Sequence, residues 1–200
     1  MQVDFFDNPH KAMTDSPRFG LCDDVAAENC PKNPAYLDES SPMKWTAVVT
    51  NRERKHATFY PIDNCIKILR PDGEMDNRCD GMLNYDSNLL FVELKDRMST
   101  HGWVKDGLNQ LKVTIQNFKK YHDTGAYGSI KAQLCNKQRP AAVVACNKEI
   151  SNFKDETGYI VRVDRNITIS HTPPARSIQA ECRQSGVSGQ ILDPEKSPLP

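Results

Sequence analysis

The stretch that decides the fold is residues 79–97, CDGMLNYDSNLLFVELKDR. Two apolar segments, 79–85 and 89–96, flank a polar triplet at 86–88, and this pattern predicts a β-hairpin. Side chains alternate along a strand, so Glu93 and Lys95 share one face of the second segment. Both faces are apolar over most of that segment, which favours a central strand covered on both sides.

The charged end of this strand predicts a chemical site. A carboxylate and an ammonium that are partly withdrawn from water need compensating partners. Asp80, in the neighbouring strand, is expected near Glu93, and two carboxylates with the backbone carbonyl of Leu94 would suit Mg²⁺ or Mn²⁺. Lys95 would then be placed to orient an attacking water and to balance charge on a phosphate.

A long amphipathic helix is predicted over residues 103–121. One flank of its apolar stripe carries Gln110, and the other carries a row of lysines, Lys105, Lys112 and Lys119. The row is interpreted either as a nucleic-acid contact or as ordinary surface lysines. The apolar stripe consists of Val104, Leu108, Leu111, Ile115 and Phe118.

Shorter patterns predict the remaining elements. They are a helix at 21–29, strands at 65–69 and 141–146, and a second hairpin at 159–170 that turns at 164–166. Together with the first hairpin and the long helix, they predict an α/β fold with a central mixed β-sheet flanked by helices.

Composition divides the chain into three segments. Residues 1–44 are rich in Pro, Asp, Asn and Ser, so they are predicted to be helical or irregular. Residues 45–170 carry the periodic patterns of a folded domain, and 171–200 are predicted to be a flexible tail because they contain few apolar residues.

Charge and cysteine usage restrict the class of protein. Basic and acidic residues are equal at 26 each, so a polyanion could bind only to a local basic patch. The 7 cysteines are scattered without a Cys-x-x-Cys pair, which favours reduced thiols. Apolar runs are too short for a membrane span, and the first residues lack the apolar segment of a signal peptide. The sequence therefore predicts a cytoplasmic protein without a membrane partner.

The order of these motifs resembles the PD-(D/E)XK nuclease superfamily, which has the restriction-endonuclease-like fold. Asp80 is followed by Glu93-Leu94-Lys95 and then by a helix that carries Gln110, over roughly residues 60–146. The resemblance implies that Asp80 and Glu93 bind the divalent metal, that Lys95 serves the attacking water and that Gln110 supports the site. Cys79 stands where the motif's name has a proline.

A second Glu-x-Lys triplet, Glu53-Arg54-Lys55, provides an internal control. It lies in a charged segment, and no amphipathic helix follows it directly. Short motifs of this kind recur by chance, so the alternative for Glu93 is a salt-bridged strand end without chemistry.

The resulting expectation is a Mg²⁺-dependent nuclease that hydrolyses phosphodiester bonds, in DNA rather than RNA, and leaves a 5′-phosphate. The alternative is an inactive subunit of the same fold that binds nucleic acid or protein. A homodimer, a partner subunit, and an effector role in a defence or repair assembly are further expectations. None of the 5 histidines stands in a catalytic context, and no glycine-rich phosphate loop is present.

Overall fold

A computed structural model describes residues 3–24, 32–98, 102–138 and 147–170. In these ranges the chain forms a mixed α/β fold with two sheets and two α-helices. The elements are β1 Ala12–Thr14, β2 Arg18–Cys22, β3 Tyr36–Asp38, β4 Ala47–Thr50, β5 Ala57–Pro61, β6 Gly81–Tyr85, β7 Asn88–Lys95, α1 Trp103–Tyr121, β8 Ser129–Asn136, α2 Asn147–Thr157, β9 Val161–Val163 and β10 Asn166–Thr168, with a short 3-10 helix at Thr124–Ala126.

The larger sheet is mixed and has the strand order β1-β5-β6-β7-β8-β9. Its strands are antiparallel from β1 to β7, whereas β7, β8 and β9 are parallel to one another. The predicted central mixed sheet is therefore confirmed. Helix α1 connects the parallel pair β7 and β8, as a crossover between parallel strands requires.

The predicted hairpin forms with its turn at the expected place. Strand β6 pairs with β7 from Gly81 opposite Val92 to Tyr85 opposite Asn88. Asp86 adopts φ 50°, a left-handed conformation that aspartate tolerates better than most residues. The register of this turn sets which side chains meet at the far end of the two strands.

The helix predicted over 103–121 is confirmed as α1, and its apolar stripe packs on one face of the larger sheet. Leu89 and Phe91 of β7 lie in this cluster together with Phe118. Leu90 and Val92, which point to the opposite face, pack instead with residues of the smaller sheet. Strand β7 is thus covered on both sides, as its apolar pattern predicted.

The smaller sheet corrects the expectation that helices flank the central sheet. It has the order β10-β4-β2-β3 and contributes Phe19, Val49 and Ile167 to the second core cluster. Both helices in the described ranges belong to the first cluster, where Phe153 represents α2. The layers are therefore helix, sheet and sheet.

Three local predictions are wrong. Leu21 and Cys22, assigned to a helix at 21–29, belong to strand β2, while 25–29 lie outside the described residues. Residues 65–69 contain turns and an isolated bridge rather than a strand. The segment 159–170 is not a hairpin, because β9 joins β8 in the larger sheet and β10 joins β4 in the smaller one.

Other expectations concern residues beyond the described ranges or remain predictions. The strand at 141–146 and the tail at 171–200 lie outside the described residues. Segment 1–44 contributes strands β1, β2 and β3, and its boundary at residue 44 stays a prediction. None of the described helices combines the length and apolar character of a membrane span.

Candidate active site

A cavity of about 260 Å³ opens where β6 begins and β7 ends. Gly81 pairs with Val92, so the preceding Asp80 lies beside the Glu93-Leu94-Lys95 end of β7. Asp80, Glu93, Lys95 and Gln110 all line this cavity, and Leu94 lines it as well. The four side chains assigned to catalysis from sequence are thus brought together, and the Leu94 carbonyl stays a predicted ligand.

Asp80 is held in a fixed orientation by the neighbouring strand. It is 4% exposed, and its Oδ2 accepts a 2.6 Å hydrogen bond from the backbone N–H of Leu94. Burial, followed by the nearby charge of Asp23, raises the pKa of Asp80 to about 7. The Leu94 N–H and the charges of Lys32 and Lys95 favour the carboxylate anion, but they do not outweigh burial.

Glu93 is the most deeply buried carboxylate of the site, at 1% exposed. Its Oε1 lies 2.5 Å from Nζ of Lys95, whereas its Oε2 is buried without a hydrogen-bond partner among the described residues. Burial, followed by the charge of Asp80, raises the pKa of Glu93 well above its ordinary value. An unpaired buried carboxylate oxygen is costly, so this atom is the place in the cavity where a ligand would be stabilised most.

Helix α1 holds Lys95 in place through Gln110. The ammonium of Lys95 donates a 2.6 Å hydrogen bond to Oε1 of Gln110, and Nε2 of Gln110 donates a 3.0 Å bond to the carbonyl of Arg78. Thr114, one turn further along the helix, accepts a 2.8 Å bond from the N–H of Cys79. The helix thus binds both the lysine of β7 and the residues that precede Asp80.

The backbone of Cys79 makes a hydrogen bond that a proline at this position could not make. Proline has no N–H, so it could not donate the bond that Cys79 makes to Oγ1 of Thr114. The buried side chain of Cys79 packs in the first core cluster. In this chain the position therefore uses its backbone donor to link the strand to α1.

Gly107 of helix α1 packs against the sheet beside Glu93. A Cβ added to Gly107 would lie 2.5 Å from Cδ1 of Leu134 and 3.4 Å from Cγ of Glu93. The first contact is with a methyl group of a flexible side chain on β8, which would have to shift, and the second is an ordinary van der Waals contact. Gly107 therefore lets α1 pack on β8 without displacing the Leu134 side chain.

Sequence reasoning missed Asp23, Asp63 and Lys32, which also line the cavity. Lys32 Nζ lies 2.8 Å from Asp23 Oδ2, 3.9 Å from Asp63 Oδ2 and 4.0 Å from Asp80 Oδ1. Burial lowers the pKa of Lys32, but its hydrogen bond to Asp23 and the charge of Asp80 outweigh burial and raise the pKa. Asp23 directly follows strand β2. Because residues 21–29 were assigned to a helix, the position of this acid at the end of a strand was not recognised.

The lysine row predicted to bind nucleic acid lies on the α2 side of α1. Lys112 Nζ is 2.7 Å from Oε2 of Glu156, and Lys119 donates a 3.2 Å bond to the carbonyl of Thr157. Lys105 and Lys112 line a separate groove of about 590 Å³ between the helices. The structure does not bring the row into the cavity, so its role in binding stays a prediction.

The larger groove is a weaker candidate for chemistry than the cavity. Three lysines and three acids line the groove and balance one another in charge. The cavity has six acidic and three basic side chains, a formal excess of three negative charges. It also contains two buried carboxylate oxygens, of Asp23 and Glu93, that have no hydrogen-bond partner within the described ranges. We therefore locate the candidate site in the cavity.

The second Glu-x-Lys triplet lies elsewhere and forms ordinary ion pairs. Lys55 pairs with Asp86 and lies 3.4 Å from Glu53 Oε2. Arg54 adopts φ 51° in a turn, so this triplet does not continue a strand. Neither Glu53 nor Lys55 lines the cavity.

The cavity fits a divalent cation by its charge and its donors. Carboxylate oxygens are the ligands that Mg²⁺ and Mn²⁺ prefer. In Asp80 and Glu93, Oδ1 and Oε2 are the oxygens not occupied by backbone or Lys95 bonds, and Oδ1 of Asp23 is likewise buried without a hydrogen-bond partner among the described residues. In the part of the chain that the structure describes, no group of three His, Cys, Asp or Glu side chains is close enough to hold a metal. A bound cation would therefore complete its coordination with water or substrate oxygens.

Comparison with known proteins finds no matching family model, no matching curated protein and no matching solved structure.

Proposed function

We propose that this protein is a Mg²⁺- or Mn²⁺-dependent nuclease of the restriction-endonuclease-like fold that hydrolyses phosphodiester bonds in nucleic acid. One observation carries the proposal. Asp80, which directly precedes β6, and Glu93, Lys95 and Gln110, from β7 and α1, line one acidic cavity in which a buried carboxylate oxygen of Glu93 has no hydrogen-bond partner among the described residues.

The proposed reaction is an in-line attack of water on phosphorus. A new P–O bond forms, the P–O3′ bond breaks, and the products are a 5′-phosphate and a 3′-hydroxyl that takes up a proton. A divalent cation held by Asp80 and Glu93 would supply Lewis-acid stabilisation of the negative charge on the phosphate. The residues of this chain would bind the cation, orient the attacking water and neutralise charge on the phosphate.

Lys95 is suited to orient the attacking water and to neutralise charge on the phosphate. An ammonium has three N–H donors, and Lys95 directs two of them at Glu93 Oε1 and Gln110 Oε1. We assign the third donor to the attacking water or to a phosphate oxygen. Because Glu93 and Gln110 fix the ammonium beforehand, little reorganisation is needed when charge develops.

DNA rather than RNA is the proposed substrate, and the proposed assembly is a homodimer or a complex with a partner subunit in a defence or repair system. The lysine row Lys105, Lys112 and Lys119 supplies the basic surface that a chain with equal acidic and basic residues needs for a polyanion. The proposed location is the cytoplasm.

The alternative, an inactive nucleic-acid- or protein-binding subunit, is favoured by a different observation. Lys95 pairs with Glu93, and Lys32 lies within 4.0 Å of Asp80, so internal ammonium groups already compensate both carboxylates. Such a site could persist as a salt-bridged strand end without turnover.

Cleavage assays distinguish the two functions. Plasmid, single-stranded DNA and RNA are incubated with the protein in Mg²⁺, Mn²⁺ or EDTA, and the termini of the products are determined. The proposal expects metal-dependent cleavage with 5′-phosphate ends that is lost in Asp80→Ala and Glu93→Ala. Binding without cleavage in every metal would assign the chain to the inactive alternative.

A further inference from the structure

The ammonium of Lys32 lies inside the acidic cavity, close to three carboxylates. It makes a 2.8 Å ion pair with Asp23 and lies 3.9 Å from Asp63 and 4.0 Å from Asp80. The Asp80 side chain is only 6% exposed, whereas the Lys32 side chain is 35% exposed, so water screens the interaction from the side of the lysine. Lys32 is thus a counter-ion for a buried acid that folding would otherwise leave poorly compensated.

The oxygen of Asp80 that faces Lys32 is the one that a metal would use. Oδ2 accepts the N–H of Leu94, while Oδ1 is the atom 4.0 Å from the ammonium. A divalent cation coordinates oxygen at roughly 2.0–2.6 Å, so a cation at Oδ1 would lie no more than about 7 Å from the ammonium. Two positive groups at such a short distance repel each other strongly in a partly buried site.

We infer that Lys32 is an internal competitor of the divalent cation, which compensates Asp80 in the metal-free protein and is displaced from it when metal binds. The displaced ammonium retains its ion pair with Asp23, so displacement need not leave Lys32 without a partner. Lys32 thereby raises the metal concentration at which the site fills. This inference rests on the proposed function, because it assumes that the cation binds at Asp80 and Glu93.

The test is a calorimetric titration of Mn²⁺, and then Mg²⁺, into the full chain without nucleic acid. Lys32→Met should bind Mn²⁺ about tenfold more tightly than the wild type, because it removes a nearby positive charge. Lys32→Arg keeps that charge and should bind within about twofold of the wild type. Lys55→Met is the matched control, since Lys55 also pairs with two carboxylates but lies outside the cavity.

A second measurement, of thermal stability, should show a loss for Lys32→Met where metal binding shows a gain. In EDTA, Lys32→Met should unfold at a lower temperature than the wild type, since the cavity loses a counter-ion. Saturating Mn²⁺ should then raise its Tm by more than it raises that of the wild type. A merely structural lysine would lower the Tm without tightening metal binding.

The outcomes separate this inference from the proposed function. If the wild type binds metal and Lys32→Met binds it equally or more weakly, the inference is overturned and the proposed function stands. If neither protein binds metal, or if binding survives in Asp80→Asn, both are overturned. If Lys32→Met does not fold in EDTA, the smaller change Lys32→Gln is titrated, and the same comparison decides.

Discussion

The ammonium of Lys95 donates a 2.6 Å hydrogen bond to Oε1 of Gln110, which lies on helix α1. The amide group of the same glutamine donates to the carbonyl of Arg78, two residues before Asp80. One helical side chain therefore contacts both the end of β7 and the segment that leads through Asp80 into β6. Disturbing this link should affect the geometry of the site more than its charge.

Replacing Lys95 with alanine should reduce cleavage by about 10²–10³ while leaving nucleic-acid binding nearly intact. A lysine contributes little to a contact with many phosphates, but Glu93 and Gln110 fix this ammonium where the proposed reaction would place the attacking water. Rates are measured under single-turnover conditions, and affinities are measured in EDTA.

Lys55→Ala is the control for this experiment, because it changes the lysine of the second Glu-x-Lys triplet. Lys55 pairs with Asp86 outside the cavity, so its loss should leave the cleavage rate near that of the wild type. If Lys55→Ala abolished cleavage and Lys95→Ala did not, the site would have been assigned to the wrong triplet.

Replacing Gln110 with alanine should lower kcat by about tenfold and destabilise the fold by about 1–2 kcal/mol. The change removes one partner of Lys95 and leaves the carbonyl of Arg78 without its side-chain donor. Gln116→Ala provides the control, since Gln116 is an exposed glutamine of the same helix. If Gln110→Ala and Gln116→Ala change kcat equally, Gln110 has no specific role in cleavage.

The parts of the structure predicted from sequence depend on local patterns. Hairpin β6–β7 and helix α1 are specified by alternating or helical periodicity within the segments that form them. Glu93, Lys95 and Gln110 lie on these elements and Asp80 directly precedes β6, so their convergence at one place could be predicted from sequence. Helix α2 was missed because its sequence buries only Phe153 and Thr157, which is too weak a stripe to detect.

The parts that were missed depend on long-range pairing. Asp23 enters the cavity because β2 pairs with β4, which is far from it in sequence. Segments β9 and β10 alternate like a hairpin, yet each finds a parallel partner in a different sheet. Local periodicity identifies a strand but does not specify its neighbour, so neither the second sheet nor Lys32's place beside Asp23 could be predicted.

The metal-free protein should lose stability as the pH rises, because folding raises the pKa of Asp80 from 3.8 to about 7. The contribution of neutral Asp80 is complete below its unfolded pKa and is lost as the pH rises through the folded value. Burial raises the pKa of Glu93 in the same direction. Urea unfolding in EDTA should therefore show a free energy of unfolding that falls from about pH 4 to about pH 8.

Asp80→Asn is the control for this pH dependence. Asparagine cannot ionise, but its carbonyl oxygen can still accept the N–H of Leu94. The difference in the free energy of unfolding between the variant and the wild type should grow as the pH rises. Mn²⁺ should restore the stability that the wild type loses at high pH, and it should have no such effect on the variant. A difference that does not change with pH would contradict the raised pKa.

Replacing Lys105, Lys112 and Lys119 together with alanine should weaken nucleic-acid binding at low salt, and the loss should shrink as salt increases. Because Lys112 also pairs with Glu156, the change could act through the packing of α2. Glu156→Ala breaks the same ion pair without removing a positive charge, and it should leave affinity unchanged. If the triple variant binds nucleic acid at low salt as tightly as the wild type does, the three lysines contact only α2 and do not contribute to binding.

Introducing the proline of the motif's name at Cys79 should destabilise this chain. Cys79→Pro removes the N–H that donates to Oγ1 of Thr114 and also restricts Arg78, whose carbonyl accepts a bond from Gln110. We expect a loss of about 1–3 kcal/mol in urea unfolding and a fall in cleavage rate, because both links between α1 and Asp80 are disturbed. Cys79→Ala removes the buried sulfur but keeps the backbone donor, so it should retain more activity than Cys79→Pro. A proline variant as stable and active as the alanine variant would show that the bond to Thr114 does not position Asp80.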